Sequence, residues 1–359
     1  MLWQGLIHKY QKYLNIDKNS KIISICEGNT PLIKAPAIEK ICGVKNLSVY
    51  LKFEGANPSG SFKDRGMTVA ITKAINSGLH TMVCASTGNT SASAAAYTAY
   101  ARSVGFENAK CVVLIPDGYV ALGKLAQAIA YGSKIVQING NFDKALDIVK
   151  ELSKEAGIAL VNSVNPDRIE GQKTAAFEVC EQLGKSPDIL SIPVGNAGNI
   201  TAYWKGFCEY FAEGSINKKP QMIGFQAAGS APIVLGKAVE NPETIATAIR
   251  IGNPASWQSA VNAAKESNGY IDAVTDEEII SAYKLIHSSQ GVCCEPASAA
   301  SVAGLIKSAK LGKIPENSTI ICILTGNGLK DPETAIKTNE FKPMKAEANI
   351  DSVVKALGL

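Results

Sequence analysis

The chain has 359 residues, 46% hydrophobic and 19% charged, a balance that excludes disorder and buries a full core without metal or disulfide staples. Lys and Arg number 36 against 32 Asp and Glu, and a net charge of +4 is too weak to point to nucleic acid or an anionic membrane. At roughly 150 residues per domain, the length predicts two domains.

The predicted elements, in chain order, are strand 49–53, helix 64–76, strand 81–84, helix 91–102, strand 111–115, helix 121–131, strand 134–138, helix 142–156, strand 158–161, helix 172–183, strand 189–194, helix 200–213, strand 222–226, helices 276–289 and 296–309, and strand 319–324. Several strands are apolar on successive residues, as expected when both faces of a parallel sheet are covered. The alternation predicts an α/β fold with parallel-rich sheets flanked by helices. Asp276 after Thr275, with Glu277 and Glu278 following, is a helix start. Residues 237–268 are rich in turn formers and are predicted irregular. No linker marks where two lobes would divide.

No apolar run reaches the ~18 residues of a membrane span, and the opening MLWQGLIHKYQKYL lacks a signal peptide's continuous apolar stretch. The nine cysteines form no CxxC, and the three histidines lie far apart. These features predict a soluble cytosolic protein with reduced thiols and no zinc site. Cys293 and Cys294 have no histidine beside them in sequence and read as packing residues.

Four polar, glycine-containing segments follow predicted strands: GANPSGSFKDRG (55–66), STGNTSAS (86–93), GNAGN (195–199) and TGNG (325–328). In open parallel sheets, ligands collect beyond the carboxyl ends of the strands, so these segments point to one shared site. GNAGN is either an ordinary strand-to-helix turn or a cradle of amides for a phosphate at a helix start. GYVALGK (118–124) lacks the Ser or Thr of a Walker loop. Lys63 stands where a helical pattern begins. A lone lysine is ordinarily solvated, but a helix N-terminus and burial would both lower its pKa, as a Schiff-base lysine requires. Ser86, Thr87, Asn89 and Thr90 offer hydroxyls and an amide at another helix start; a carboxylate cradle uses several of them, a simple cap only one. Thr325 is either a Thr-Gly turn or a neutral hydroxyl facing a heterocyclic nitrogen. Arg168, within NSVNPDRIEGQ (162–172), is either a surface residue or a bidentate anion site.

An amine, a phosphate cradle, a carboxylate cradle and a neutral hydroxyl together describe a site for pyridoxal phosphate (PLP). With EGNTPL (27–32) and LTGNGLKD (324–331), the segments resemble the threonine synthases, a branch of the fold type II, tryptophan-synthase-β-like PLP enzymes, over nearly the whole chain. The resemblance implies that residues 1–50 and 151–359 form a large PLP-binding domain, and that 51–150 form a smaller inserted α/β domain carrying the lysine. It makes Lys63 the PLP lysine and places Asn89 at the cofactor's phenolic oxygen. Gly195, Asn196, Ala197, Gly198 and Asn199 would surround its phosphate, and Thr325 would face its ring nitrogen, leaving that nitrogen largely unprotonated. Ser86, Thr87 and Thr90 would hold the substrate carboxylate or its surroundings. Lys63, Thr90, Ser163, Asn165, Arg168 and Asn196 would lie near the substrate's phosphate. The implied reaction is a carbon–oxygen lyase reaction on a phosphate: O-phospho-L-homoserine and water give L-threonine and phosphate by γ-elimination and β-addition. Lys63 would act as imine partner, base and acid. A homodimer is also implied.

Two other readings stay open. A serine/threonine dehydratase or β-replacement enzyme of the same fold would differ in its phosphate and carboxylate loops. A phosphate-ligand-binding regulator that has lost catalysis would keep the fold, but the intact lysine motif weighs against it.

Overall fold

The computed structural model describes residues 2–117, 122–140, 142–155, 157–339 and 343–358. Its strands are β1 (Leu32–Lys34), β2 (Ser48–Phe53), β3 (Thr81–Ala85), β4 (Lys110–Pro116), β5 (Lys134–Ile138), β6 (Ile158–Leu160), β7 (Ile189–Pro193), β8 (Gln221–Ala227), β9 (Tyr270–Val274) and β10 (Thr319–Leu324). They form a six-stranded sheet in the order β1-β2-β10-β7-β8-β9 and a four-stranded sheet in the order β5-β4-β3-β6. All pairings are parallel except β1 with β2. The chain leaves the larger sheet after β2, builds the smaller one, and returns at β7. β6 pairs with β3, so the smaller sheet reaches Leu160.

Burial explains why the central strands read clearly from sequence. Every residue of β7 and β10 is buried, and each Ile or Leu taken wholly out of water contributes about 1.5–3 kcal/mol. One face of the larger sheet packs on the helix Pro296–Lys310, the other on the helices Pro166–Leu183 and Gly198–Ala212. The predicted helix start at 276 forms a capping box: Glu278 N–H donates to Thr275 Oγ1 and Thr275 N–H donates to the Glu278 carboxylate.

Three expectations are corrected. Residues 237–268 are not wholly irregular, because Trp257–Glu266 is a helix burying Ala260, Ala263 and Ala264, side chains too small to register as an apolar stripe. The helix predicted at 172 begins at Pro166, because Asn165 Oδ1 caps it by accepting from Asp167 N–H at 2.9 Å. Arg168 therefore sits in a first helical turn. The short β1, the helix Pro36–Cys42 and edge strand β9 were not expected at all. Residues 118–121 of the glycine-containing 118–124 stretch, and the predicted helix ends at 121 and 156, lie outside the described residues.

The helices Lys63–Asn76 and Pro166–Leu183 touch backbone to backbone. A Cβ on Gly171 would lie 1.9 Å from the Arg65 carbonyl oxygen, and one on Gly66 would lie 2.7 Å from that of Arg168. A buried ionic cluster fixes the same junction. Arg65 donates to Glu54 through Nε (2.7 Å) and Nη2 (2.9 Å), and to Glu178 through Nη1 and Nη2 (both 2.7 Å). Lys52 Nζ donates to Glu178 at 3.0 Å and to the Thr30 carbonyl at 2.8 Å. The register between Lys63 and Arg168 is thus set by contacts that leave little slack.

Candidate active site

Lys63 is the first residue of its helix; the residue before it, Phe62, supplies no side-chain cap, and Lys63 N–H donates to Ser61 Oγ at 3.4 Å. The preceding loop is stitched to the end of β10. Phe62 N–H donates to the Thr325 carbonyl at 3.0 Å, Asn327 N–H donates to that of Gly60 at 2.9 Å, and Ser61 bridges Gly326. The Lys63 ammonium lies 4.1 Å from the centre of the Phe62 ring. The side chain is half-buried, but its amine is deep among protein atoms. Burial first, and the Arg168 guanidinium second, pull its pKa from 10.5 down to about 7, against the opposing field of Glu295.

This yields a pH prediction. A base held below its ordinary pKa is neutral in the folded chain once pH exceeds about 7, and it costs stability below that. The cost fades as pH rises towards 10.5. Capture of an added aldehyde by the cofactor-free chain should therefore rise with a midpoint near 7. Arg168→Ala should move that midpoint upward, as followed by stopped-flow absorbance across pH.

Arg168 is 1% exposed, which removes the surface reading. Its Nη1 donates to the Val161 carbonyl at 3.2 Å, while Nε and Nη2 are buried and have no hydrogen-bond partner. Burial lowers its pKa to about 10, with Asp64 and Cys84 opposing. Two unsatisfied guanidinium nitrogens beside an amine are the donor set for an anion. Ser163 Oγ stands nearby in sequence and accepts from Asn196 Nδ2 at 2.9 Å, joining this corner to the GNAGN loop. Asn165 is occupied structurally: besides capping the helix, its Nδ2 donates to the Leu160 carbonyl at 2.8 Å.

The GNAGN loop turns through Ala197 at φ 65°, a left-handed conformation that launches the helix at Gly198. No side chain caps this helix start either, and Asn199 Nδ2 is buried with no partner. Asn196 is braced on its other side, where Ala255 N–H donates to its Oδ1 at 2.9 Å. A Cβ on Gly195 would come within 3.0 Å of Ile249 Cα, so the loop is packed tightly from behind. Uncapped amides and an orphaned amide nitrogen fit a phosphate.

Ser86, Thr87, Asn89 and Thr90 lie half-buried between the end of β3 and the first turn of the helix Asn89–Ser103. Ser86 Oγ accepts from Gly88 N–H at 3.3 Å. Asn89 Nδ2 donates to both oxygens of Glu295, at 3.0 and 3.3 Å, and Thr325 Oγ1 donates to Glu295 Oε1 at 3.1 Å. The smaller sheet's helix and the end of β10 therefore meet on one carboxyl.

Sequence reasoning missed Glu295, and also the buried Asp64. Asp64 accepts from Ser59 N–H and Ser93 Oγ, both at 2.6 Å, and braces the lysine loop. No local pattern announces either residue. The cysteine expectation needs one amendment: His287 lies beside Cys294, but its Nε2 engages that residue's backbone (3.0 and 3.1 Å), while the Cys294 thiol is buried and its pKa raised.

Residues 23–326 match the family described as pyridoxal-phosphate dependent enzyme. The chain is 57% identical to the threonine synthase of Halalkalibacterium halodurans, over 95% of this chain and 94% of that one. It is 53% identical to that of Mycobacterium tuberculosis, over 99% and 97%. The structure of threonine deaminase isoform 2 from Solanum lycopersicum superposes with a TM-score of 0.74 at 22% identity, covering 95% of each chain, a likeness of fold. The α/β architecture is that of fold type II, and the family match and the sequence relatives agree throughout: the chain belongs to the threonine synthases, within the pyridoxal-phosphate dependent enzymes.

Proposed function

We propose that this chain converts O-phospho-L-homoserine and water to L-threonine and phosphate where its two sheets meet, with PLP held by Lys63. The observation that carries the substrate assignment is Arg168. A buried guanidinium with Nε and Nη2 unpaired, close enough to Lys63 to depress its pKa, calls for a second anion besides the one suited to the GNAGN amides. A phosphorylated substrate supplies that anion.

In this reading the amides of Gly195 to Asn199 receive the cofactor phosphate, Asn89 its phenolic oxygen and Thr325 its ring nitrogen. Ser86, Thr87 and Thr90 receive the substrate carboxylate, again at uncapped amides of a helix start. Arg168, with Ser163, Asn196 and the first part of the Asn165 turn, orients the phosphate that leaves from the γ-carbon. When bound, PLP supplies the electron sink for carbanion chemistry at the amino acid's α-carbon. Lys63, neutral once pH exceeds about 7, takes and returns the proton at that carbon. Overall, the carbon–oxygen bond to phosphate breaks at the γ-carbon and water's oxygen bonds at the β-carbon.

The reading includes a division into a large domain of residues 1–50 and 151–359 and a smaller one of about 51–150, with the β6 pairing supporting a later second boundary near residue 160. It also includes a cytoplasmic homodimer. Nine free cysteines support the reducing compartment, and no helix among the described residues is long and apolar enough to cross a membrane.

The test is Arg168→Ala, assayed by phosphate release from O-phospho-L-homoserine and by oxobutyrate formation from threonine. The expected loss is about 10²-fold in kcat/KM for the phosphorylated substrate, the size of losing a buried charge-assisted contact. Unchanged phosphate release, or a wild type that forms only oxobutyrate, would reject the assignment.

A further inference from the structure

The loop before Lys63 and the loop after β10 lie side by side, and one side chain from the smaller sheet's layer holds both. The helix Leu122–Ala130 belongs to that layer, burying Leu125 and Ala128 in the core around β3 and β4. From the same helix, half-buried Gln127 reaches the edge of the larger sheet. Its Nε2 donates to the Ser59 carbonyl at 3.2 Å, and its Oε1 accepts from Lys330 Nζ. A peptide carbonyl can only accept, so the amide nitrogen must face Ser59 and the oxygen is left for the lysine. Lys330 is itself laid along the lysine loop, where a Cβ on Gly60 would come within 2.8 Å of its Cε. Glu295 and Asp64 are the acids that face it.

The candidate site straddles the same gap. The helix start at Ser86 to Thr90 stands on the smaller sheet. Lys63 and Arg168 are tied to the larger one, through the bond from Phe62 N–H to the Thr325 carbonyl and the close contact of Gly66 with Arg168. Asn89 to Glu295 and Ser93 to Asp64 also cross the gap, but both end on residues at the site itself. Gln127 crosses it from behind the lysine loop.

We propose that Gln127 is a positioning residue for the substrate: by holding Ser59 and Lys330 on one amide, it sets the spacing between the carboxylate cradle and the Lys63–Arg168 side before substrate arrives. This rests on the function proposed above, in which the substrate's carboxylate and phosphate engage opposite sides of the gap. Without the clamp, only a fraction of molecules hold the competent spacing, and apparent affinity falls by that fraction. The bound geometry, once reached, is the same. The loss therefore belongs in KM and not in kcat.

The experiment is phosphate release from O-phospho-L-homoserine by the PLP-loaded wild type, Gln127→Leu, Lys330→Met and the double variant, with cofactor absorbance after gel filtration and the thermal midpoint recorded for each. Gln127→Leu is expected to raise KM about tenfold, the scale of two lost hydrogen bonds, with kcat changed less than about twofold and cofactor retention intact. The double variant should raise KM by less than the product of the two single effects, because the singles remove one shared bond. An unchanged KM in Gln127→Leu, or a loss confined to kcat, overturns the proposal. Multiplicative effects in the double variant overturn it as well. A lowered thermal midpoint with KM unmoved assigns Gln127 a purely structural role and rejects positioning. A wild type that releases no phosphate removes the proposed function, and this inference with it.

Discussion

Lys63→Ala is expected to lower turnover of O-phospho-L-homoserine by about 10³-fold, within the range for removing a positioned acid–base group. It should also abolish covalent retention of PLP. The two effects share one cause: an amine at the start of a helix, drawn down to a pKa of about 7 by burial and by Arg168. Nothing nearby replaces it. Lys330, another cation of the cleft, is engaged with Gln127 and packed behind Gly60. The variant should fold normally, because Lys63 contributes no ion pair to the core; its aromatic contact with Phe62 is local. Absorbance of the protein after gel filtration, together with phosphate release, checks both expectations. A variant that keeps covalent cofactor would show that another amine is the true partner.

Glu178→Ala carries the largest expected effect on stability. The carboxylate accepts from Arg65 twice, from Lys52, and from the backbone N–H of Asn29 at 2.8 Å, all in the interior. Its truncation leaves Lys52 with no carboxylate partner and Arg65 with Glu54 alone, and breaking a buried pair in this way costs about 3–5 kcal/mol. Arg65 and Lys52, above all, hold the Glu178 carboxyl at about 2 despite its burial. A carboxyl depressed in the folded state contributes stability that is present above its ordinary value and lost as pH falls toward the depressed one. The wild type should therefore lose stability between about pH 4.5 and 2 in a way the variant does not. Urea midpoints at pH 6 and pH 3 measure both effects. The exposed pair Lys150–Asp147 serves as the control whose removal changes little.

The parts of the fold that were legible in sequence are those whose burial is one-dimensional. β7 and β10 are apolar at nearly every position because sheet and helices cover both faces. The helix at 276 carries its start signal in Thr275 and Glu278. The helix Trp257–Glu266 escaped because alanines form its buried face, and β1 because three residues on an edge leave no period to read. The early start of the helix Pro166–Leu183 was in principle readable, since Asn165 followed by Pro166 and Asp167 is a cap, a rigid first position and a favourable charge. The polar run around it masks that signal, because its side chains carry no apolar period.

The site divides along the same line. Lys63, Asn89, the GNAGN loop and Thr325 are announced by small polar segments at the ends of strands. The sequence could not decide whether Arg168 is buried, because that depends on the Gly66–Gly171 contact between two helices about a hundred residues apart. Glu295 was invisible for a stronger reason. Its partners lie 206 and 30 residues away, and only the meeting of the two sheets brings them to one carboxyl.

The most direct test of the whole account is reduction of the holoenzyme with borohydride, followed by digestion and mass mapping of the modified peptide. The account predicts one phosphopyridoxyl group, on Lys63. Label on any other lysine, or none at all, would contradict it.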